Sequence, residues 1–231
     1  MRKNIKILQV IWEIKHLGNQ AILLQTSSPV SLSIIHQITQ SILAAQWQGI
    51  TDIVPAYHSI AIFYEKSIIS TVQIIQKIET KNFSNTNLKI QVKTHEIPVC
   101  FENGLDWNEV EDLTQIKKTD FIKQFTNQHY TVAMLGFIPG FIYLDGLEKP
   151  LHCPRKQNPR LKTPAGSVGI GGGQTGIYAL ESPGGWQIIA QTPTLLFNKK
   201  ILPPTSIQPL DKVNFYSINI DEFQKIANEI H

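Results

Sequence analysis

Residues 166–190 read GSVGIGGGQTGIYALESPGGWQIIA, and this glycine-rich stretch sets the architecture of the second half of the chain. Glycine is favoured where the backbone turns sharply or approaches a ligand closely. Residues 171–176 fit the G-x-G-x-x-G pattern of dinucleotide-binding loops, but that site requires a helix to begin at the last glycine. Ile177 and Tyr178 favour a strand instead, and Pro183 stops any helix soon afterwards. The stretch therefore predicts the corners of a β-structure.

The surrounding sequence has the same β character. From Tyr130 to Tyr216, Gly and Pro recur every few residues between short apolar runs, which predicts a β-barrel or sandwich with many corners. The first ninety residues alternate between strand-like and helix-like patterns, which predicts an α+β sandwich with a ferredoxin-like arrangement. We expect an N-terminal domain over 1–88 and a barrel domain over 89–231, with the polar segment 81–87 as the linker.

Local patterns predict element boundaries in the first half of the chain. Residues 5–14 read as one strand. Apolar residues at helical spacing over 28–46 predict a first helix, with Ser31 or Ser33 as its cap. Ser67 is expected to open the second amphipathic helix.

Three helix starts are predicted in the second half, and Thr119 or Asp120 is expected to cap the middle one. Asp106 with Glu109 three residues later forms a capping-box pattern at the start of a short helix. Asp221 is predicted to cap the C-terminal helix.

Composition excludes several classes of protein. The 231 residues carry 21 Lys and Arg against 18 Asp and Glu, and this net charge of +3 without a basic block argues against nucleic-acid binding. Two cysteines do not make a disulfide framework. The N-terminus lacks the pattern of a signal peptide, and no run approaches the roughly 20 apolar residues of a membrane span. We therefore expect a soluble, cytoplasmic protein.

A basic, proline-braced loop precedes the glycine-rich stretch. Residues 154–167, PRKQNPRLKTPAGS, carry four cations, Arg155, Lys156, Arg160 and Lys162. Cations beside exposed backbone amides are suited to a carboxylate or phosphate, whereas the alternative is a solvated loop on a barrel rim. No Walker A sequence and no G-x-S-x-G nucleophile elbow occurs. His152 and Cys153 are adjacent and point to opposite faces of an extended chain, so no metal site is predicted there.

Residues 134–147 (MLGFIPGFIYLDGL) and 154–193, with Leu196 and Phe197, closely resemble the family of the 5-oxoprolinase B subunit (PxpB), also called KipI or allophanate hydrolase subunit 1. The first half of the chain is similar in layout, at 53–65 and at 95–101. This resemblance covers nearly the whole chain. It implies a small α+β N-terminal domain followed by a cyclophilin-like β-barrel domain.

The resemblance also implies an activity and partners. Family members of this kind work with a KipA-type protein, the C component, and with a third component, A. The complex opens 5-oxoproline to L-glutamate at the expense of ATP. We expect ATP to be shared with a partner subunit, with Mg²⁺ as its accompanying ion, and no activity of the chain alone. The alternatives that the resemblance leaves open are an inhibitor of a sensor histidine kinase and a subunit related to allophanate hydrolase.

Candidate site residues follow from the loop and the resemblance. Arg155, Arg160 and Lys162 are expected to neutralise charge during phosphoryl transfer, and Glu181 to hold a metal or orient a cation. The residues expected to contact substrate are Pro139, Gly140, Gly166, Ser167, Gly172 and Gln174. Two departures from the family stand out: Phe125 occupies the place of a usual His, and a glycine-rich stretch is reduced to ENG at 102–104.

Overall fold

The computed structural model describes residues 3–83 and 91–230. Two compact units make up the chain, Met1–Gln91 and Val92–His231. The predicted boundary between residues 88 and 89, and most of the predicted linker at 81–87, lie outside the described residues.

The first unit is a five-stranded antiparallel sheet with two helices. Its strand order is β1-β2-β3-β5-β4. The apolar face packs with the helices around Trp12, Ile22 and Ile62, all of which are fully buried. The elements are β1 (Lys3–Ile7), β2 (Val10–His16), β3 (Ala21–Gln25), α1 (Leu32–Ala44), β4 (Ile50–Pro55), β5 (Ser59–Tyr64) and α2 (Thr71–Thr80).

Two boundary predictions in this unit are wrong. The strand expected over 5–14 is broken by a turn at Leu8 and Gln9, both with positive φ (48° and 66°), so that β1 and β2 form a hairpin. Three strands therefore precede α1, an order that differs from β-α-β-β-α-β, and the ferredoxin-like arrangement is not confirmed. Helix α2 begins at Thr71 and not near Ser67, because Ser70 and Gln73 form a capping box.

The second unit is built on a seven-stranded sheet with the strand order β13-β10-β11-β8-β7-β14-β6. A separate two-stranded ribbon pairs β9 with β12. The elements are β6 (Thr94–Val99), α3 (Trp107–Thr114), α4 (Lys118–Thr126), β7 (Tyr130–Leu135), β8 (Ile142–Asp145), β9 (Arg160–Thr163), β10 (Ser167–Gly171), β11 (Gln174–Ile177), β12 (Ser182–Gly184), β13 (Gln187–Gln191), β14 (Lys212–Ser217) and α5 (Ile220–Ile230).

The seven-stranded sheet is nearly closed into a barrel. Cys100, directly after β6, exchanges two backbone hydrogen bonds with Gln191 at the end of β13, of 2.8 and 3.0 Å. This bridge joins the two edge strands and encloses an apolar core that includes Val168, Ile170 and Ile177. The α+β class is thus confirmed, with a barrel-like sheet as its larger part, while the cyclophilin-like layout is not confirmed.

Helix starts in this unit differ from the predicted ones: Lys117 stands at the N-cap of α4, so the prediction of Thr119 or Asp120 as its cap is wrong. Asp106 stands at the N-cap of α3 but makes no side-chain capping bond, so the capping-box prediction is wrong. Helix α5 is capped reciprocally by Asn219 and Glu222, at 2.9 and 3.0 Å, and not by Asp221. Among the described residues, no helix is long and apolar enough to cross a membrane.

Candidate functional site

The glycines of β10 and β11 leave space for aromatic rings on one face of the sheet. Side chains alternate along a strand, so Gly169, Gly171 and Gly176 face away from the barrel core. A Cβ atom at Gly171 would lie 2.7 Å from the ring of Trp186, and one at Gly176 would lie 2.7 Å from Phe141. The glycine-rich stretch therefore provides room for two buried rings.

A cavity of about 320 Å³ lies beside these rings. Phe141 makes edge-on contacts with Tyr178 and Trp186, with ring centroids 4.9 and 5.6 Å apart, and this packing holds one side of the cavity. Its lining consists of Phe137, Phe141, Tyr143, Arg155, Lys156, Pro159, Tyr178, Pro183, Gly184, Gly185 and Trp186. The lining is thus aromatic, with two cations and no carboxylate.

Arg155 supplies the free positive charge of this cavity. Its guanidinium lies over the indole of Trp186, 5.4 Å from the ring centroid, in a cation–π contact. Within residues 3–83 and 91–230, Arg155 forms no ion pair, and its side chain is exposed. An anion entering the cavity would therefore meet an unneutralised guanidinium, which binds carboxylates in a bidentate manner.

The neighbouring cations are already paired with two acids from the start of α3. Asp106, with 4% of its side chain exposed, accepts hydrogen bonds from Lys156 Nζ (3.0 Å), from Arg160 Nη2 and from the backbone N–H of Ile188 (2.7 Å). Glu109, one turn further along the helix, also accepts from Lys156. This acid–base cluster ties α3 to the basic loop and to β13.

Hydrogen bonding and burial set the charge states at the site. The hydrogen bond from Lys156, and a further one from Gln187, hold the pKa of Glu109 below its usual value. Burial alone would lower the pKa of Lys156, but its bonds to Glu109 and Asp106 outweigh burial and raise it. Burial raises the pKa of Tyr143 and of Tyr178, so both phenols keep their protons at neutral pH.

The predicted catalytic residues take three different positions. Arg155 lines the cavity. Arg160 is engaged by the buried Asp106 and also approaches the Trp186 carbonyl at 3.5 Å. Lys162 and Glu181 pair with each other at 3.3 Å, with 78% and 57% of their side chains exposed.

The residues predicted to contact substrate lie outside the lining of this cavity as described. Gly140, next to Pro139, has φ +79° and packs against Phe197, so it shapes the loop that leads to Phe141. Gly166, with φ +80°, directly precedes β10, at a point where the chain approaches the Thr192 carbonyl.

The others lie along β10, β11 and the turn that joins them. Ser167 is buried within β10. Gly172 has φ +69° and donates its N–H to the Cys153 carbonyl at 2.6 Å, in the turn between β10 and β11. Gln174 follows at the start of β11.

Phe125, which the resemblance expects at the place of a family His, belongs to the barrel core. Its ring stacks on Phe215, with centroids 5.2 Å apart, and contacts Tyr130 at the same distance. The backbone carbonyl of Phe125 accepts the Tyr130 hydroxyl at 3.1 Å. In the described part of the chain, no three His, Cys, Asp or Glu side chains are grouped to hold a metal ion.

The sequence did not indicate the two acids or the aromatic cluster. Asp106 and Glu109 were interpreted only as a helix cap, although two acids at this spacing could also form ion pairs with cations of the basic loop. Phe141, Tyr178 and Trp186 come from three separate segments of the chain. The glycines of β10 and β11 were the one sequence feature related to these rings, because they leave space for them.

Comparison of the sequence and the fold with known proteins identifies the class of domain to which the chain belongs. The sequence matches the family described as "Carboxyltransferase domain, subdomain C and D" over residues 12–207. The fold agrees with the Kluyveromyces lactis urea amidolyase structure, with a TM-score of 0.80 and 21% identity over 97% of this chain and 16% of that one. The chain is thus a carboxyltransferase-type domain.

Sequence relatives identify the family within this class. The chain is 32% identical to the 5-oxoprolinase B subunit of Bacillus subtilis, over 96% of this chain and 99% of the relative. It is 39% identical to the protein of the same name from Haemophilus influenzae, over 73% of this chain and 79% of that one. The chain belongs to the family of 5-oxoprolinase B subunits.

Proposed function

We propose that this protein is the B subunit of a multi-component, ATP-dependent 5-oxoprolinase, and that the aromatic cavity binds 5-oxoproline. Similarity to B subunits over most of the chain supports the role in a complex. The observation that carries the substrate assignment is the unpaired Arg155 guanidinium over Trp186, at the mouth of an aromatic cavity. The partners in this proposal are the A component and a KipA-type protein as the C component.

The charges of the lining match 5-oxoproline. At neutral pH this substrate is an anion whose carboxylate carries its charge, because the lactam nitrogen is neutral. Arg155 would take the carboxylate, while Phe141, Tyr178 and Trp186 would enclose the five-membered ring and exclude water. Since the lining has no carboxylate, the ammonium group of the product L-glutamate finds no partner there, which favours product release.

Neutral hydroxyls complete the chemistry that this chain can supply. Tyr143 lines the cavity and is half-buried, and burial raises its pKa, so it stays a hydrogen-bond donor. In the proposal it donates a hydrogen bond to the lactam carbonyl and so orients the ring in the cavity. Tyr178 remains protonated for the same reason but is itself buried in the ring cluster.

ATP and Mg²⁺ do not fit this cavity. A triphosphate carries several negative charges, whereas Arg155 is the one lining cation without a carboxylate partner in the described segments. Asp106 and Glu109 are engaged with Lys156, so they are not free to bind Mg²⁺. We therefore assign ATP to another component of the complex.

The test is a reconstituted complex assayed for glutamate formation from 5-oxoproline. Arg155→Ala should raise the KM about 10- to 100-fold, which is the effect of losing a charge-assisted hydrogen bond of about 1.5–3 kcal/mol. Lys149→Ala is the control, because it removes an exposed cation of the same unit that lies outside the cavity lining, and it should leave KM unchanged. An unaltered KM in Arg155→Ala would overturn the proposed site.

Analogues test the charge argument separately. Cyclopentanecarboxylate keeps the ring and the carboxylate, and it should compete with 5-oxoproline. Proline adds an ammonium group, and 2-pyrrolidone lacks the carboxylate, so neither should compete well. Equal inhibition by all three compounds would contradict recognition by Arg155.

A further inference from the structure

We propose that Asp106 and Glu109 are positioning residues that hold Arg155 over Trp186, an inference that rests on the proposed function. Neither acid belongs to the cavity lining as described, so neither is placed to touch the substrate. Both act through the residues on either side of Arg155.

The backbone around Arg155 is held on both sides. On one side, the Pro154 carbonyl accepts from Gln187 Nε2 at 3.3 Å, and the same nitrogen donates to Glu109 Oε1 at 2.8 Å. On the other side, the Lys156 backbone N–H donates to the Gly185 carbonyl at 2.7 Å. Arg155 is thereby placed next to Trp186 by contacts that do not use its own side chain.

The two acids also neutralise the cations that would compete with Arg155. Lys156 Nζ lies 3.0 Å from Asp106 Oδ1 and contacts Glu109 as well, and Arg160 contacts Asp106. Without these carboxylates, three positive charges of one loop would repel each other and could share an incoming anion. With them, the free positive charge is concentrated on Arg155.

Helix α3 gives this arrangement its rigidity. Trp107 and Val110, which alternate with the two acids along the helix, are buried in the barrel core, and Trp107 Nε1 donates to the Phe101 carbonyl at 2.9 Å. The acids are therefore presented from an anchored element, as a supporting shell requires.

The experiment is a double-mutant cycle in the reconstituted complex. Glu109→Gln should raise the KM for 5-oxoproline about tenfold and change kcat little, and it should have no further effect in an Arg155→Ala background. Glu111→Gln is the matched control on the same helix, because Glu111 instead accepts from the Lys118 backbone, and it should leave KM unchanged. A Glu109→Gln effect that persists undiminished without Arg155 would overturn the positioning role.

A readout without catalysis separates this inference from the proposed function. The fluorescence of Trp186, taken as the difference between the parent protein and Trp186→Phe, should shift in Glu109→Gln toward its value in Arg155→Ala. Unchanged Trp186 emission in Glu109→Gln would refute the positioning role, whatever the activity assay gives. Conversely, a fluorescence shift together with an Arg155→Ala variant of normal KM would refute the substrate site and keep the positioning of Arg155.

Discussion

Replacing Gly176 by Ala tests whether the glycines of β11 and β10 exist to admit aromatic rings. The new Cβ would lie 2.7 Å from Phe141 Cζ and 2.9 Å from Trp186 Cζ3, whereas ordinary contacts begin at 3.4 Å. The Phe141 ring would have to move by about 0.7 Å (3.4 − 2.7). Phe141 and Trp186 are 1% and 5% exposed and pack against each other, so they have little room to do so.

The expected cost follows from these distances. Overpacking a well-packed core costs about 1–3 kcal/mol. Alanine in a strand recovers about 0.5–1 kcal/mol relative to glycine. Gly176→Ala should therefore lower the free energy of unfolding by roughly 1–2 kcal/mol.

Urea unfolding followed by tryptophan fluorescence measures this change. With an m value of about 2 kcal/mol/M, the midpoint should fall by roughly 0.5–1 M. Gly136→Ala is the matched control, because a Cβ there meets nothing within 4 Å and Gly136 has no positive φ. If Gly176→Ala were as stable as Gly136→Ala, the argument that these glycines make room for the rings would be wrong.

Three further predictions concern stability and reactivity. Burial alone would raise the pKa of Asp211, but hydrogen bonds from backbone amides and His95 outweigh burial and lower it. The ionised carboxylate therefore stabilises the folded state above the unfolded pKa of about 3.9, and this stabilisation is lost as the pH falls through the lower folded pKa. The difference in unfolding free energy between wild type and Asp211→Asn should shrink below about pH 4, and a constant difference down to about pH 2 would contradict this. Burial raises the pKa of Cys153 to about 11, so iodoacetamide at about pH 8 should modify it, by mass spectrometry, only after unfolding. Ser70→Ala should cost about 1 kcal/mol in urea unfolding and Ser67→Ala much less, since Ser70 forms the capping box of α2; equal losses would contradict that assignment.

Much of the local structure could be predicted from the sequence because the signals are short-range. Helical spacing of apolar residues and a capping serine predicted α1, where Ser31 accepts from the Ile34 N–H. The strand pattern at Ile177 and Tyr178 correctly excluded a dinucleotide-binding helix, since β11 continues through Ile177. Two of the four cations of the basic loop, Arg155 and Lys156, line the cavity.

The errors share a physical cause, which is competition between local and long-range partners. Asp106 looks like a helix cap when only the next three residues are considered. In the folded protein its carboxylate serves Arg160 and Ile188, which lie 54 and 82 residues further along the chain. Buried charge-assisted hydrogen bonds are stronger than a capping hydrogen bond, so the capping bond predicted from the local pattern does not form. No spacing rule connects residues so far apart.

Three properties of this protein are legible in its sequence: the glycine-rich stretch forms β-strands, a cationic loop precedes it, and the chain belongs with the B subunits of 5-oxoprolinase. What the glycines and cations do depends on folding. The fold packs Phe141 and Trp186 against the glycines of β10 and β11. It also brings Asp106 and Glu109 into ion pairs with two of the loop's cations. A cation's availability depends on which carboxylates lie within a few ångströms, and that distance is a property of the tertiary structure. For this reason Arg155, one of four similar cations in the sequence, has no carboxylate partner among the described residues.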